Sequence, residues 1–253
     1  MAGDCQTNAR TIVMNEVPVK FKSGKLVSGI VYPEFFPINA NEEVLNLGCG
    51  DGVQAVIYKG NFKRMVGVDV NQDRLQTAVA LCRERGVNGF EPVMGDVEHV
   101  PLNDQFDKVI AIDIAEHLLH PEQMAGEMYR LLKPGGRALV TFPAMHDRWT
   151  ALFRFVGRKI LRRKGKTVEH TNWHPDDHQH EMPVSKWIQI IESSGLRCVS
   201  SRATTMFPPL HLVGIPRFWF TNRLVHSIDK TVCRLPVIKN LGQTVMCIFE
   251  KPR

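Results

Sequence analysis

Apolar residues in the middle of this chain come in short runs, separated by polar turns that carry glycine. Val44 to Leu47 and Met65 to Val68 are too short for helices and too continuous for strands with one wet face, so both read as strands buried on two sides. A third run leads to Gly95, a fourth starts at Phe106, and Arg137 to Phe142 reads as a fifth. Between them the apolar spacing turns helical, near Val53 to Tyr58, Gln72 to Arg85 and Pro121 to Leu132. Asn71 or Asp73 can cap the second helix, and Pro121 suits the first position of the third. Gly135-Gly136 reads as the glycine turn that ends that third helix. A helix from Val184 to Ser194, stopped at Gly195, leads to a strand near Leu196 to Ala203, and Gly242 to Glu250 supplies the last strand. Alternating strands and helices predict an α/β chain around a parallel sheet with right-handed crossovers.

The densest chemistry follows the first run. Val44-Leu45-Asn46-Leu47 opens into Gly48-Cys49-Gly50-Asp51-Gly52, and Asp69 closes the second strand about 20 residues after the first glycine. Glycines at alternate positions let the backbone touch a ligand, and a carboxylate such as Asp69 can accept both hydroxyls of a ribose. Together these features read as a nucleoside site. A dinucleotide fold spaces its glycines G-x-G-x-x-G, so that a pyrophosphate can rest on the next helix. Here the third glycine comes one residue early, and Val53 stands at the dinucleotide position.

The GxGxG loop with Asp69 resembles the first two motifs of the class I S-adenosylmethionine-dependent methyltransferases. Further segments follow in that family's order. Gly95-Asp96-Val97-Glu98-His99-Val100-Pro101-Leu102 is similar to its acidic loop, where the carboxylate takes the adenine amino group. Phe106 to Leu118, ending Asp113-Ile114-Ala115-Glu116-His117-Leu118, is similar to its fourth strand and "D-x-x-E-H-L" exit. The resemblance is close over residues 41–143 and looser elsewhere. It implies a three-layer, doubly wound sandwich around a mostly parallel seven-stranded sheet, whose last strand runs antiparallel between the fifth and sixth. It also implies S-adenosyl-L-methionine as cofactor, held by Asn46, Gly48, Cys49, Gly50, Asp69, Val70, Asp96 and Val97, with Asp113 near the transferred methyl. Asn46 departs from the family, which usually carries an acid there, so polar support for the methionine end is neutral or weaker here.

Composition narrows the class. No apolar run approaches the 18 residues of a membrane span, and Met1 to Cys5 lacks a charged-then-apolar export pattern. Six cysteines are scattered without a CxxC pair, which fits reduced thiols in a cytoplasmic protein. Cys49 reads as a small filler of the glycine loop. The formal charge of +6 is local, because residues 148–166 hold eight Lys or Arg and no acid. Trp149, Leu152, Phe153, Val156 and Ile160 recur there at helical spacing, giving a basic amphipathic helix suited either to an anionic membrane surface on the cytoplasmic side or to packing on the domain. A second addition, residues 206–236, sets Phe207, Leu210, Leu212, Ile215, Phe218, Trp219 and Phe220 among prolines and reads as core packing, a lid, a dimer contact or a lipid-facing surface. The organisation expected is one domain: an N-terminal cap (1–40), a cofactor-binding core (41–147), a basic and His-rich insertion (148–183) and the second half of the sheet (184–253).

Candidate catalytic residues are histidines. His170, His174, His178 and His180 cluster with acids, yet Pro175 breaks the helix that would align them and no zinc signature matches, so no metal site is assigned. His178 and His180 resemble an H-x-H that many family members carry over the acceptor pocket. His117 follows the fourth strand at the carboxyl edge of the sheet, where open α/β folds bind ligands, and reads as either a general base or a histidine bonded to its own turn. Asp113-Ile114-Ala115-Glu116 stands where DNA amino-methylating enzymes carry an Asp/Asn-Pro-Pro-aromatic tetrad, and no Pro-Cys nucleophile for cytosine appears, which argues against nucleic acid. The expected function is methylation of a small, apolar or lipid-linked acceptor, on oxygen before carbon or nitrogen. Two alternatives stay open: an RNA or protein methyltransferase using the basic stripe, and a cofactor-binding protein without turnover at a membrane. Oligomeric state is not legible.

Overall fold

A computed structural model describes residues 33–143, 179–180, 182–204, 228, 231–232 and 244–253. In chain order its elements are β1 (Glu43–Leu47), α1 (Val53–Ile57), β2 (Arg64–Asp69), α2 (Gln72–Glu84), β3 (Phe90–Met94), β4 (Phe106–Ala111), a 3-10 turn (Ala115–His117), α3 (Pro121–Leu131), β5 (Leu132–Pro143), α4 (Val184–Glu192), β6 (Arg197–Thr204) and β7 (Thr244–Glu250). The strands form one sheet of seven in the order β3-β2-β1-β4-β5-β7-β6. β1 to β5 run parallel, and β7 runs antiparallel to both β5 and β6, as the resemblance implied. Strand order reverses at β1, whose neighbours are β2 on one side and β4 on the other, and the carboxyl ends of β1 and β4 are where open α/β sheets bind ligands.

The continuous apolar runs follow from burial on both faces. Along β1, Leu45 and Leu47 enter one cluster with Val66, Val68, Val109, Val140, Trp187 and Phe249, while Val44 enters the other with Met65, Ile110, Leu139 and Met246. Period-two alternation therefore sorts apolar side chains between two cores, each covered by helices. α4 docks through Trp187, fully buried and stacked on Phe142 of β5 with ring centroids 5.2 Å apart. Asn71 is the residue that caps α2, its Oδ1 accepting from the N–H of Asp73 (3.0 Å) and of Arg74 (3.1 Å). Pro121 sits at the start of α3.

One expectation fails. Gly135-Gly136 does not end α3, which stops at Leu131 and passes straight into extended backbone at Leu132. Phe106 pairs with Leu132 and Lys108 with Arg137, so Lys133 to Gly136 bulge out of β5. Gly135, at φ +77°, donates its N–H to Lys251 O (2.9 Å), and Lys251 N–H returns a bond to Gly136 O (2.9 Å). A Cβ on Gly136 would lie 2.8 Å from Lys133 O and 3.1 Å from Asp107 O. The glycines thus fit a bulge against the tail that follows β7. The segments 144–178 and, apart from three residues, 205–243 lie outside the described residues, and with them the basic helix, His178 and the aromatic insertion.

Candidate active site

The loop from β1 to α1 is built on left-handed backbone. Gly48, Gly50 and Gly52 have φ of +64°, +52° and +75°. L-residues with a Cβ rarely adopt this region, so the alternate spacing of the glycines is a backbone requirement. Space enforces the same choice: a Cβ on Gly48 would sit 2.8 Å from Ile114, one on Gly50 would overlap the Arg74 guanidinium, and one on Gly52 would lie 2.8 Å from Ala78 Cβ. Arg74 is held over the loop by an ion pair with Asp51 (3.2 Å). Cys49 is 3 % exposed, and burial first, then the Asp69 charge, pushes its thiol well above the ordinary range, which suits a filler and not a nucleophile.

Asp69 ends β2 facing this loop. It is 7 % exposed, with Oδ2 accepting from Gly50 N–H (2.8 Å) and Oδ1 from Asn71 N–H (2.9 Å). Each oxygen keeps a lone pair after its main-chain bond, so the carboxylate is held in place and can still accept two hydroxyls, as a ribose diol requires. Asn46, 1 % exposed on β1, offers Nδ2 to Gln54 Oε1 at 3.5 Å, and its Oδ1 is buried with no hydrogen-bond partner. An orphan acceptor beside the glycine loop fits the ammonium of a methionine end. Val70 follows Asp69 and is 67 % exposed, an apolar surface open to a base. Asp96 holds its own loop by accepting from Glu98 N–H (2.9 Å), while the Val97 side chain joins the core.

At the exit of β4 the chain turns sharply. Asp113 has φ +48°, the sole non-glycine with positive φ among the described residues. Thr141 of β5, fully buried, supports it twice: its Oγ1 accepts from Asp113 N–H (2.9 Å) and donates to Asp113 Oδ1 (2.7 Å). Glu116 follows in the 3-10 turn and is 2 % exposed, with Oε2 lacking a hydrogen-bond partner. Burial first and the Asp113 charge second push its carboxyl up to about 8. Its Oε1 stands 3.9 Å from His117 Nε2. His180 is drawn to the same turn by main chain, Gln179 and His180 N–H both bonding Glu116 O (2.9 and 3.3 Å). Its ring lies edge-on to Trp187, with Nε2 at 3.4 Å from Leu119 O. Among the described residues no cluster of His, Cys, Asp and Glu could hold a metal ion.

Comparison with known proteins decides the class. The family described as "Methyltransferase domain" matches residues 45–140, the span from the glycine loop through β5. Residues 45–140 therefore resemble a methyltransferase domain. The ubiquinone biosynthesis O-methyltransferase of Rickettsia canadensis (strain McKiel) is 26 % identical over 155 residues, 61 % of this chain and 65 % of that relative, so the chain spans a little under two thirds of the curated protein it matches. Among solved structures, phosphoethanolamine N-methyltransferase 2 of Haemonchus contortus, in complex with S-adenosylhomocysteine, superposes with a TM-score of 0.55 at 16 % identity over 87 % of this chain and 52 % of that one. The [4+2]-cyclase SpnF does so with a TM-score of 0.58 at 18 % identity over 90 % of this chain and 79 % of that one. A methyltransferase fold that also houses a cyclase shows architecture alone.

Within residues 45–140 the structure brings Asn46, Gly48, Cys49, Gly50, Asp69 and Asp113 to one edge of the sheet. It adds three residues that sequence reading missed. Thr141 and Arg74 gave no local signal, since their roles depend on β4–β5 register and on where α2 lies. Glu116 stood in plain view in the "D-x-x-E-H-L" segment, and only its burial marks it.

Proposed function

We propose that this chain transfers the methyl group of S-adenosylmethionine to a hydroxyl of a small, apolar or lipid-linked acceptor, with His117 taking the hydroxyl proton. The observation that carries this reading is the Glu116–His117 turn at the carboxyl edge of β4, beside Asp113 and across from the glycine loop. Kinship with a ubiquinone biosynthesis O-methyltransferase supports oxygen as the methylated atom.

The cofactor supplies a methyl on a sulfonium, whose departure leaves a neutral thioether. This chain's own work is therefore placement and proton removal. Asp69 anchors the ribose and Asn46 Oδ1 takes the ammonium. Asp113, pinned by Thr141, fixes the wall next to the reacting carbon. His117 accepts the proton as the acceptor oxygen bonds to the methyl carbon, so an alkoxide or phenolate is not released into the pocket.

The basic residues of 148–166 supply an attraction to anionic lipid, which would bring the enzyme to a lipid-linked acceptor. The test has two stages. Isothermal titration with S-adenosylmethionine on wild type and Asp69→Ala checks the cofactor site. Losing the ribose bonds costs about 1.5 to 3 kcal/mol each, so affinity falls more than tenfold. Labelled-methyl transfer to isoprenoid phenols, with and without anionic vesicles, checks the acceptor. Cofactor binding with no transfer to any hydroxyl acceptor, or full transfer by His117→Ala, would refute the proposal.

A further inference from the structure

We propose that Cys198 and Cys247 form a reversible thiol–disulfide pair, a modification site whose co-reactant is a small aliphatic disulfide such as glutathione disulfide. The pair lies away from Asp69 and Asp113 and does not depend on what the chain methylates. Cys198 pairs with Phe249, which pairs with Ala138, so it stands near the amino end of β5 and not at the carboxyl edge of the sheet.

The sheet brings the two thiols together. β6 is the last strand in the sheet order, bonded to β7 alone. Register sets Cys198 opposite Phe249, two residues from Cys247, so the cysteines are diagonal neighbours on one face. That face is the core side: Cys247 is fully buried in the cluster that holds Phe249 and Trp187, and Cys198 packs against the same cluster. There the Cys247 thiol donates a hydrogen bond to the Cys198 sulfur, and neither cysteine is bonded to another. Pairing shifts between Cys198 and Ser200, a bulge on an edge strand that gives the backbone room to adjust.

Their surroundings divide the roles. The bond from Cys247 holds the Cys198 thiol down to about 7, against burial and the Glu192 charge. The same bond, followed by burial, pushes Cys247 well above the ordinary range. Half-buried Cys198 is thus the attacking thiolate and buried Cys247 the resolving thiol. Cys198 Sγ bonds to one sulfur of glutathione disulfide, and the other sulfur leaves as glutathione, which takes up the proton Cys198 had lost. Capping Cys198 removes the charge that held the Cys247 proton. Cys247 then gives up that proton and attacks Cys198 Sγ, and the second glutathione leaves with it. Two cysteine thiols are oxidised and one small disulfide is reduced. Diagonal neighbours stand about 7 Å apart, at the upper limit for a disulfide, so the bond is strained and reduced glutathione reopens it.

The experiment incubates the reduced full chain with glutathione disulfide, blocks remaining thiols by alkylation, and maps the peptides by mass without reduction. Wild type is expected to yield the Cys198 and Cys247 peptides joined, two hydrogens lighter than their sum, and separate once reduced glutathione is added. Cys247→Ala is expected to stop at a glutathione adduct on Cys198, and Cys198→Ser to leave Cys247 unmodified. In wild type, a lasting glutathione adduct on Cys198, both thiols unchanged, Cys198 joined to another cysteine, or a bond that reduced glutathione leaves closed would each overturn the proposal. Wild type alone decides it, so the outcome stands even where a variant fails to fold.

Discussion

Glu116→Gln should make this protein more stable at neutral and alkaline pH, by an amount that grows with pH. The folded carboxyl is pushed up from 4.5 to about 8, chiefly by burial. Between those values the folded chain binds more protons than the unfolded one, so stability is full below the unfolded value and falls as pH rises. The slope reaches about 1.4 kcal/mol per pH unit, and across the whole window the loss is about 5 kcal/mol. Against a total of roughly 5 to 15 kcal/mol for a domain, that is a large fraction. Gln keeps the shape and carries no charge, so its profile lacks this slope. Urea unfolding at pH 5, 6, 7 and 8 gives both curves, and their separation should widen at each step. Parallel curves would mean that Glu116 is solvated or paired, and would remove the buried-acid argument.

Three other perturbations test the site and its frame. Thr141→Val removes both bonds to Asp113 and should weaken S-adenosylmethionine binding several-fold in isothermal titration, at about 0.5 to 1.5 kcal/mol per bond, while Thr141→Ser restores it; equal affinity in all three proteins would sink the role given to the hydroxyl. Gly52→Ala should lower the melting temperature more than Gly60→Ala. Both start at positive φ, but only Gly52 has Ala78 at 2.8 Å while Gly60 has nothing within 4 Å, so equal losses would mean that backbone strain alone matters. Lys133→Met tests Asp107, whose carboxyl burial would raise but which Glu43 N–H and Lys133 hold below 3.8. That stabilisation is present above the unfolded value and is lost as pH falls through the folded one. The two side chains are 31 % and 40 % exposed, so the variant should lose no more than about 1 kcal/mol at pH 7, and the gap should narrow steadily as the pH is lowered from 4; a gap that did not narrow with acid would show that charge is not the cause.

What sequence reading could reach was set by range. Gly48, Gly50 and Gly52 announce themselves because a left-handed backbone is a local demand, met by one residue type. Asn71 and Pro121 are legible for the same reason, since caps act within one helical turn. Gly135-Gly136 misled because the same dipeptide serves a helix end or a bulge, and the choice was made by Lys251, more than a hundred residues away. Thr141 reaches Asp113 only through strand register, where Ala111 pairs with Val140. Glu116 illustrates the remaining gap: a charged letter in a sequence suggests a wet surface, and its burial depends on a turn tucked beneath residues 179–180.

The placement of β7 orders events in the making of this molecule. Residues 244–250 close the sheet by pairing with both β5 and β6, which are not hydrogen-bonded to each other. Until the chain has been synthesised almost to position 250, β5 presents an open apolar edge, and β6 with α4 has no strand to join. The candidate site residues on β1, β2 and β4 lie in the half made first. The nascent chain can thus assemble its glycine loop and Asp69 while its sheet is still unfinished, and a ligand bound there would steady that half before the last strand arrives. A chain stopped before β7 would keep the binding loop and expose a sticky edge, a product prone to aggregate and recognisable to chaperones.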